Sequence, residues 1–290
     1  MSTLDQRPLP RRLRKCLAEG LGIPLQEADL YFAADRVRVV TPDNPLAQSL
    51  PPEALVFEDD VLLLDGNPLP APPPLAYALL NKPKHVTSSA RDPEGKSDLA
   101  PYLSAMPRGC FPVGRLDRET TGLLFFTNDG ELASAVLRPD HHTTKTYWLW
   151  LDEVLGDADP RLESLLHGVE HNGEVLRAHG VRVAARSDHA TELELTLTQG
   201  RKRQVRFMCR ALDLHLVHLH RKRIGPLTDV GLALGNWRLL SEPEVRSLWR
   251  AAGGRELVRG RKLAALERLA QQLRSAGTPH VRLELALNRV

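Results

Sequence analysis

Four consecutive apolar residues, Leu123 to Phe126, lie between Thr121-Gly122 and Thr127-Asn128-Asp129-Gly130. A short, continuous apolar run with turn residues at its ends predicts a buried strand. Asn128, three residues before Glu131, has capping-box spacing, and Leu132, Val136 and Leu137 follow at helical intervals. A helix is therefore expected from Glu131 to Leu137. Leu193, Leu195 and Leu197 alternate with polar residues, which predicts a half-buried strand over Glu192 to Thr198. Other strand-like stretches are Leu75 to Leu80, Tyr147 to Leu151 and Val181 to Ala184. Helical patterns recur at Arg161 to Leu166, Gln204 to Leu212 and Glu242 to Trp249. The elements are interspersed irregularly rather than as a βαβ series, so the expected fold class is α+β.

Pro68, Pro70, Pro72, Pro73 and Pro74 follow Gly66-Asn67 closely enough that neither a helix nor a central strand can continue through them. Residues 67–74 are expected to form a stiff linker. Ahead of it, helical patterns at Leu13 to Leu21 and Leu25 to Ala34 precede short strands at Arg36 to Val40 and Val61 to Leu64. Residues 1–66 thus read as a small αα-β module, and residues 75–250 as the main domain. Residues 251–290 add a basic helix, with Leu263, Leu266, Leu269 and Leu273 on one side, and an alternating strand of Val281, Leu283, Leu285 and Leu287.

The composition, 42% hydrophobic and 26% charged, is that of a soluble globular protein. No apolar run approaches the roughly 20 residues that a membrane span requires. The first residues carry charge but no hydrophobic stretch, so a secretory signal is not expected. Cys16, Cys110 and Cys209 are few, odd in number and far apart, which fits free thiols in a reducing cytoplasm. The net charge of +3 says little, but its distribution says more. Eight basic residues against Asp213 alone fall between Gln199 and Arg223. Five more lie from Arg7 to Lys15, and nine from Arg250 to Val290. Clusters of this kind suit a polyanion, or else a solvated charged face.

Several familiar chemistries are excluded. Glu94-Gly95-Lys96-Ser97 resembles the end of a phosphate-binding loop, but its opening glycine would be Ala90, which removes nucleotide hydrolysis. Gly20-Leu21-Gly22 lacks the third glycine of a dinucleotide fingerprint. His141-His142 and the triplet His215, His218 and His220 have no Cys or carboxylate at ligand spacing. They are expected to be surface or RNA-facing histidines, and no metal is expected. Asp117 stands out instead. It lies between Arg115 and Arg118 and leads directly into the buried strand. A carboxylate drawn into a partly dry site needs a cation to stay ionised, and the run Gln199 to Arg206 could supply one.

Gly114-Arg115-Leu116-Asp117, Thr121-Gly122-Leu123-Leu124 and Thr127-Asn128-Asp129-Gly130 resemble the RsuA-type family of ribosomal RNA pseudouridine synthases. So do Asn81-Lys82-Pro83, Lys145-Thr146-Tyr147, Gly200-Arg201-Lys202-Arg203-Gln204-Val205-Arg206, Arg223-Ile224-Gly225 and Leu234-Gly235-Asn236-Trp237-Arg238. These segments keep the family's order and span about Leu75 to Trp249. Residues 13–40 are loosely similar to the S4-like RNA-binding module that such enzymes carry N-terminally.

The resemblance implies a catalytic domain built on a mixed, mainly antiparallel sheet with flanking helices and a central cleft. The activity it implies is isomerisation of a chosen uridine in ribosomal RNA, without metal, nucleotide or redox cofactor. Asp117 would be the catalytic carboxylate, Tyr147 would stack on the base and Arg206 would pair with Asp117. Arg115 would support the RNA after the target nucleotide is flipped out. Lys82, Lys145, Arg201, Lys202, Arg203, Arg210, Arg221 and Arg223 would complete the RNA-binding set. The histidines before Lys145 and the segment Gly168 to Glu174 lean towards the small-subunit enzyme. A cytoplasmic monomer is the default expectation. A non-catalytic RNA-binding or ribosome-assembly protein would share the basic clusters, but not the trio Asp117, Tyr147 and Arg206. Phe207 stands where the family commonly has a second arginine. Gly22-Ile23-Pro24-Leu25-Gln26-Glu27 lacks the family's usual basic residue, and Val39-Val40-Thr41-Pro42 replaces its Asn-Gly turn.

Overall fold

The computed structural model describes residues 9–90, 97–138, 140 and 143–275. It divides into two compact units, Leu75–Arg255 on one side and residues up to Pro74 with those from Glu256 onward on the other.

In the N-terminal unit, helices Leu13–Leu21 and Leu25–Ala33 precede an antiparallel four-stranded sheet. The sheet order is Asn44–Gln48, Val37–Thr41, Val61–Leu64, Asn67–Pro68. The first helix ends at Gly22, whose left-handed backbone (φ 64°) suits a residue without a side chain. Val37 and Val39 alternate into a core with Leu13, Leu17 and Ala28. The hairpin at Thr41 closes without an Asn-Gly turn: Thr41 pairs with Asn44, and the Thr41 hydroxyl accepts the Asn44 N–H at 3.2 Å. Asn67 and Pro68 join the edge of the sheet, because Asp65 and Gly66 (φ 52° and 79°) turn the chain back onto Val61–Leu64. The extended Pro-rich segment therefore begins only after Pro68. The helix Arg255–Ser275 follows the main unit, and the strand expected at residues 281–287 lies outside the described residues.

Among the described residues, the arginines of the N-terminal module are matched by acids. Arg11 pairs with Glu19, Arg12 with Glu53, Arg14 with Asp29, Arg36 with Asp65 and Arg38 with Asp35. Up to Pro74 the sequence has seven basic residues against eleven acidic ones, so this module is net acidic.

The larger unit is built on a mixed sheet. Its path is Gly180–Arg186, Thr191–Leu197, Lys145–Leu151, Leu216–Ile224, Thr121–Thr127, Tyr77–Lys82, Trp237–Leu239. Among the described residues all its pairings are antiparallel except one. Thr121–Thr127 runs parallel to Leu216–Ile224, with His220 opposite Thr121 and Arg221 opposite Gly122. Every residue of Thr121–Thr127 is buried, which explains its unbroken apolar run. Leu124 and Phe126 pack with Ala78, Leu80, Leu99 and Met106. Elsewhere in the sheet, Leu149, Leu193, Leu195 and Leu219 form a core closed by Val205, Met208 and Cys209 from the helix Gln204–Ala211.

The helix after the buried strand starts differently from the sequence expectation. Its cap is Asp129, whose side chain accepts the N–H groups of Glu131 and Leu132 at 3.0 and 3.1 Å. Asn128 is used across the sheet edge, where its Oδ1 accepts from the Ala76 N–H at 2.8 Å.

Gly122 carries the parallel junction. A Cβ there would lie 2.3 Å from the Arg221 carbonyl oxygen and 2.6 Å from its nitrogen, and φ is 106°. Both the strand contact and the backbone conformation require glycine. Gly122→Ala should cost about 3 kcal/mol or more and lower Tm by roughly 6–12 °C. Gly180→Ala, at a position with nothing within 4 Å, should melt like the wild type. Equal melting of both variants in a thermal scan would refute the close-contact account.

Candidate active site

The segment between the strand Phe111–Val113 and Thr121 is a loop pinned by backbone and hydroxyl hydrogen bonds. Gly114 turns it with φ 83°. Ser88 Oγ donates to the Leu116 carbonyl at 2.7 Å and accepts the Leu116 N–H at 3.0 Å. The Thr120 N–H closes a turn on the Asp117 carbonyl at 3.0 Å, and the His85 N–H reaches the Arg118 carbonyl at 2.8 Å. Leu116 itself is buried. Asp117 is thus presented from a fixed backbone.

Arg206, in the first turn of the helix Gln204–Ala211, faces it with Nε 3.7 Å from Asp117 Oδ2. This is within ion-pair reach but longer than a hydrogen bond. Arg206 Nη2 donates to the Glu119 carbonyl at 3.1 Å and to Thr120 Oγ1 at 3.2 Å, which ties the helix to the loop. Burial pulls the guanidinium below its ordinary value, and the Asp117 charge opposes that shift. An arginine so placed remains a cation and faces the Asp117 side chain. Tyr147 lies on the strand Lys145–Leu151, opposite Leu195 on one side and Arg221 on the other.

These side chains meet at one cleft of about 680 Å³. Asp117, Tyr147 and Arg206 line it, as do Arg115, Lys145, Arg201, Lys202, Arg203 and Arg221. Asp117 is its sole carboxylate among the described residues. Lys145 is held by the carbonyls of Val136 and Thr143, at 3.3 and 2.8 Å.

Three expected RNA contacts are placed elsewhere. Lys82 is fully buried within its strand, and its ammonium donates to the Pro83 and Val86 carbonyls at 2.9 Å each. It is therefore an internal support rather than a surface contact. Arg210 lies one turn beyond Arg206 on an exposed stretch, outside the cleft lining. Arg223 is also outside the lining, because Lys222 is an extra residue in the ladder between the pairs Tyr147–Arg221 and Thr146–Arg223. Arg223 acts instead on Glu194, whose carboxyl it helps to hold below its usual value.

The histidines also differ from expectation. The Thr121 hydroxyl sits between His218 Nε2 (3.1 Å) and His220 Nδ1 (2.8 Å), and His220 Nε2 meets Asp229 Oδ2 at 2.8 Å. His218 and His220, both partly buried, brace the parallel junction, whereas His215 is exposed. His141 and His142 lie outside the described residues. Sequence reading missed Ser88, whose hydroxyl fixes the Asp117 loop. No local pattern sets it apart from Thr87 and Ser89, although Asn81-Lys82-Pro83 lies just upstream.

A family model described as RNA pseudouridylate synthase matches residues 76–211. An RNA pseudouridine synthase of Aquifex aeolicus is 32% identical over 87% of this chain and 98% of its own length. The ribosomal small subunit pseudouridine synthase A of Escherichia coli is 34% identical over 82% of this chain and 99% of its own. A crystal structure of a pseudouridylate synthase superposes with a TM-score of 0.55 at 26% identity, covering 82% of this chain and 99% of that one. The chain belongs to the RNA pseudouridine synthase family, in its RsuA-type branch. It is an isomerase that converts uridine to pseudouridine.

Two lysines next to this site titrate in an accessible range. Burial draws Lys82 from 10.5 down to about 8, with Glu119 and Asp117 opposing and Arg221 and Arg118 assisting. Burial, assisted by Arg221, draws Lys145 down to about 8 as well. Between pH 8 and 10.5 the unfolded chain binds more protons at these positions than the folded one, so stability gains from each as pH rises. Lys82→Met removes one of the two gains. In urea titrations from about pH 7.5 to 10, the wild type should therefore gain on the variant as pH rises. A gap independent of pH would contradict the buried-lysine assignment.

Proposed function

We propose that this enzyme isomerises one uridine in small-subunit ribosomal RNA, working in the cytoplasm as a single chain. The subunit choice follows the name of the Escherichia coli relative and its similarity across nearly the whole of that protein. The observation that carries the site assignment is the cleft's charge pattern: a single carboxylate, Asp117, among Arg115, Arg118, Lys145, Arg201, Lys202, Arg203, Arg206 and Arg221. A substrate with a phosphate backbone fits such a wall, and a two-carboxylate hydrolysis does not.

In this reading the target nucleotide leaves its stack, at a cost of a few kcal/mol that phosphate contacts offset. The exposed Arg201, Lys202 and Arg203 at the rim make those contacts. The base stacks on Tyr147, a contact worth about 1–3 kcal/mol. Asp117, paired with Arg206, faces C1′ of the ribose and acts there as nucleophile or as base at the adjacent carbon. The N-terminal module, being net acidic with its arginines internally paired among the described residues, contributes little to the grip on RNA.

Asp117→Asn should lower the single-turnover rate by at least about 10³-fold while changing RNA affinity by less than about twofold. In cells lacking the protein, carbodiimide labelling and reverse transcription should show one missing stop in small-subunit RNA. Wild type should restore it and Asp117→Asn should not. Persistence of every stop in the deletion strain would defeat the ribosomal reading. For the module, Arg12→Gln and Arg38→Gln should leave RNA affinity within about twofold, whereas Lys202→Glu should weaken it by about tenfold or more. The reverse ranking in filter binding would move the grip back to the N-terminal unit.

A further inference from the structure

Arg221 belongs to the RNA-binding set that the resemblance implies, but its surroundings do not suit a phosphate contact. It is 5% exposed, whereas Arg201, Lys202 and Arg203 at the rim are open to solvent. Its Nε donates to the Leu123 carbonyl at 2.6 Å, which fixes the guanidinium. Nη2 is buried and has no acceptor in the protein. Leaving a charged donor unmatched in a buried position costs free energy, and a guanidinium cannot shed its proton to avoid that cost.

The local charge inventory sharpens the point. Arg221 acts as a like charge on both Lys145 and Lys82, with Glu119 and Asp117 opposing it at Lys82. The lysines direct their ammonium groups to backbone carbonyls. Asp117, the sole carboxylate lining the cleft among the described residues, is matched to Arg206. Arg221 therefore adds to the inner wall of the cleft a cation whose Nη2 has no acceptor among the described residues. Arg221 lines that wall directly opposite Tyr147 on the neighbouring strand. A base stacked on Tyr147 lies beside Arg221, while its phosphates lie at the rim.

The isomerisation generates a negative charge at that place. When the C1′–N1 bond breaks, its electron pair stays with the uracil and spreads to O2 and O4. C5 then supplies a pair to C1′, the C5 proton departs, and N1 ends protonated, so the product is an isomer and no redox partner is needed. We propose that Arg221 donates from Nη2 to a carbonyl oxygen of the target uracil and stabilises the charge that develops there as the glycosidic bond breaks. This rests on the cleft assignment above. It makes Arg221 a catalytic residue that reads the base, distinct from the phosphate contacts at the rim. Being already fixed to the Leu123 carbonyl, the guanidinium need not reorganise during the reaction.

Single-turnover release of tritium from RNA labelled at C5 of uridine, with filter binding across a salt series, separates the possibilities. Arg221→Met should slow release by about 10²–10³-fold, with affinity within about twofold and an unchanged salt slope, and Arg221→Lys should recover part of the rate. Weaker binding with a salt slope reduced by about 1 and an unchanged rate would make Arg221 a phosphate contact and overturn the inference. If Arg221→Met does not fold, wild-type enzyme on RNA with 2-thiouridine or 4-thiouridine at the target gives the answer. Sulfur is a poorer acceptor, so one of the two should be slowed by about tenfold or more, and normal turnover of both would overturn the inference. An active Asp117→Asn would sink the cleft assignment itself, whereas an Arg221 series indistinguishable from wild type would sink this inference alone.

Discussion

Contact between two backbones, Gly122 against Arg221, is the constraint on which the rest of the catalytic unit depends. It joins Thr121–Thr127, fully buried, to Leu216–Ile224, about a hundred residues later in the chain, in the one parallel pairing among the described residues of the sheet. Any side chain at position 122 would collide with main-chain atoms that cannot swing aside. The Thr121 hydroxyl, bracketed by His218 and His220, ties the same junction together from the side chains. The Asp117 loop enters the sheet at this point, so the register of the junction also sets where the carboxylate stands.

The electrostatics of the cleft follow from that placement. Arg206 comes from a helix whose Val205, Met208 and Cys209 are locked into the core, and it reaches back to both Asp117 and the loop carbonyl of Glu119. One carboxylate is thereby held among many cations in a partly dry site. A wall of this kind attracts a phosphate backbone at its rim and favours negative charge developing deeper in. The same design explains the depressed lysines: Lys82 and Lys145 are kept from solvent by the elements that shape the cleft, and their ammonium groups donate to backbone carbonyls.

The N-terminal unit shows how little a count of basic residues says without geometry. The cluster from Arg11 to Lys15 looks like an RNA-binding stretch in the sequence, yet Arg11, Arg12 and Arg14 all face carboxylates of their own unit. Those carboxylates come from Glu19, Glu53 and Asp29, and two of the three lie more than a dozen residues from their partners. Exposed pairs of this type add little stability, but they do cancel charge that would otherwise meet phosphate.

The sequence alone determined the elements and the chemistry. Periodicity located the helix Leu13–Leu21 and the strand Val61–Leu64 at their observed bounds, and the apolar run at Leu123 marked the central buried strand. Side-chain periodicity is a local property, so it survives without knowledge of neighbours. The ordered motifs picked out Asp117, Tyr147 and Arg206 because each lies in a short segment with its own residue pattern. Tertiary structure decided what those segments do to one another. It sent Asn128 to Ala76 and left Asp129 as the helix cap. It buried Lys82, and turned Arg223 off the cleft through one extra residue at Lys222. It also converted His218 and His220 from apparent surface groups into braces for Thr121. In each case the deciding partner lies on another strand or loop, reached through a register or a bulge that no local stretch of sequence encodes.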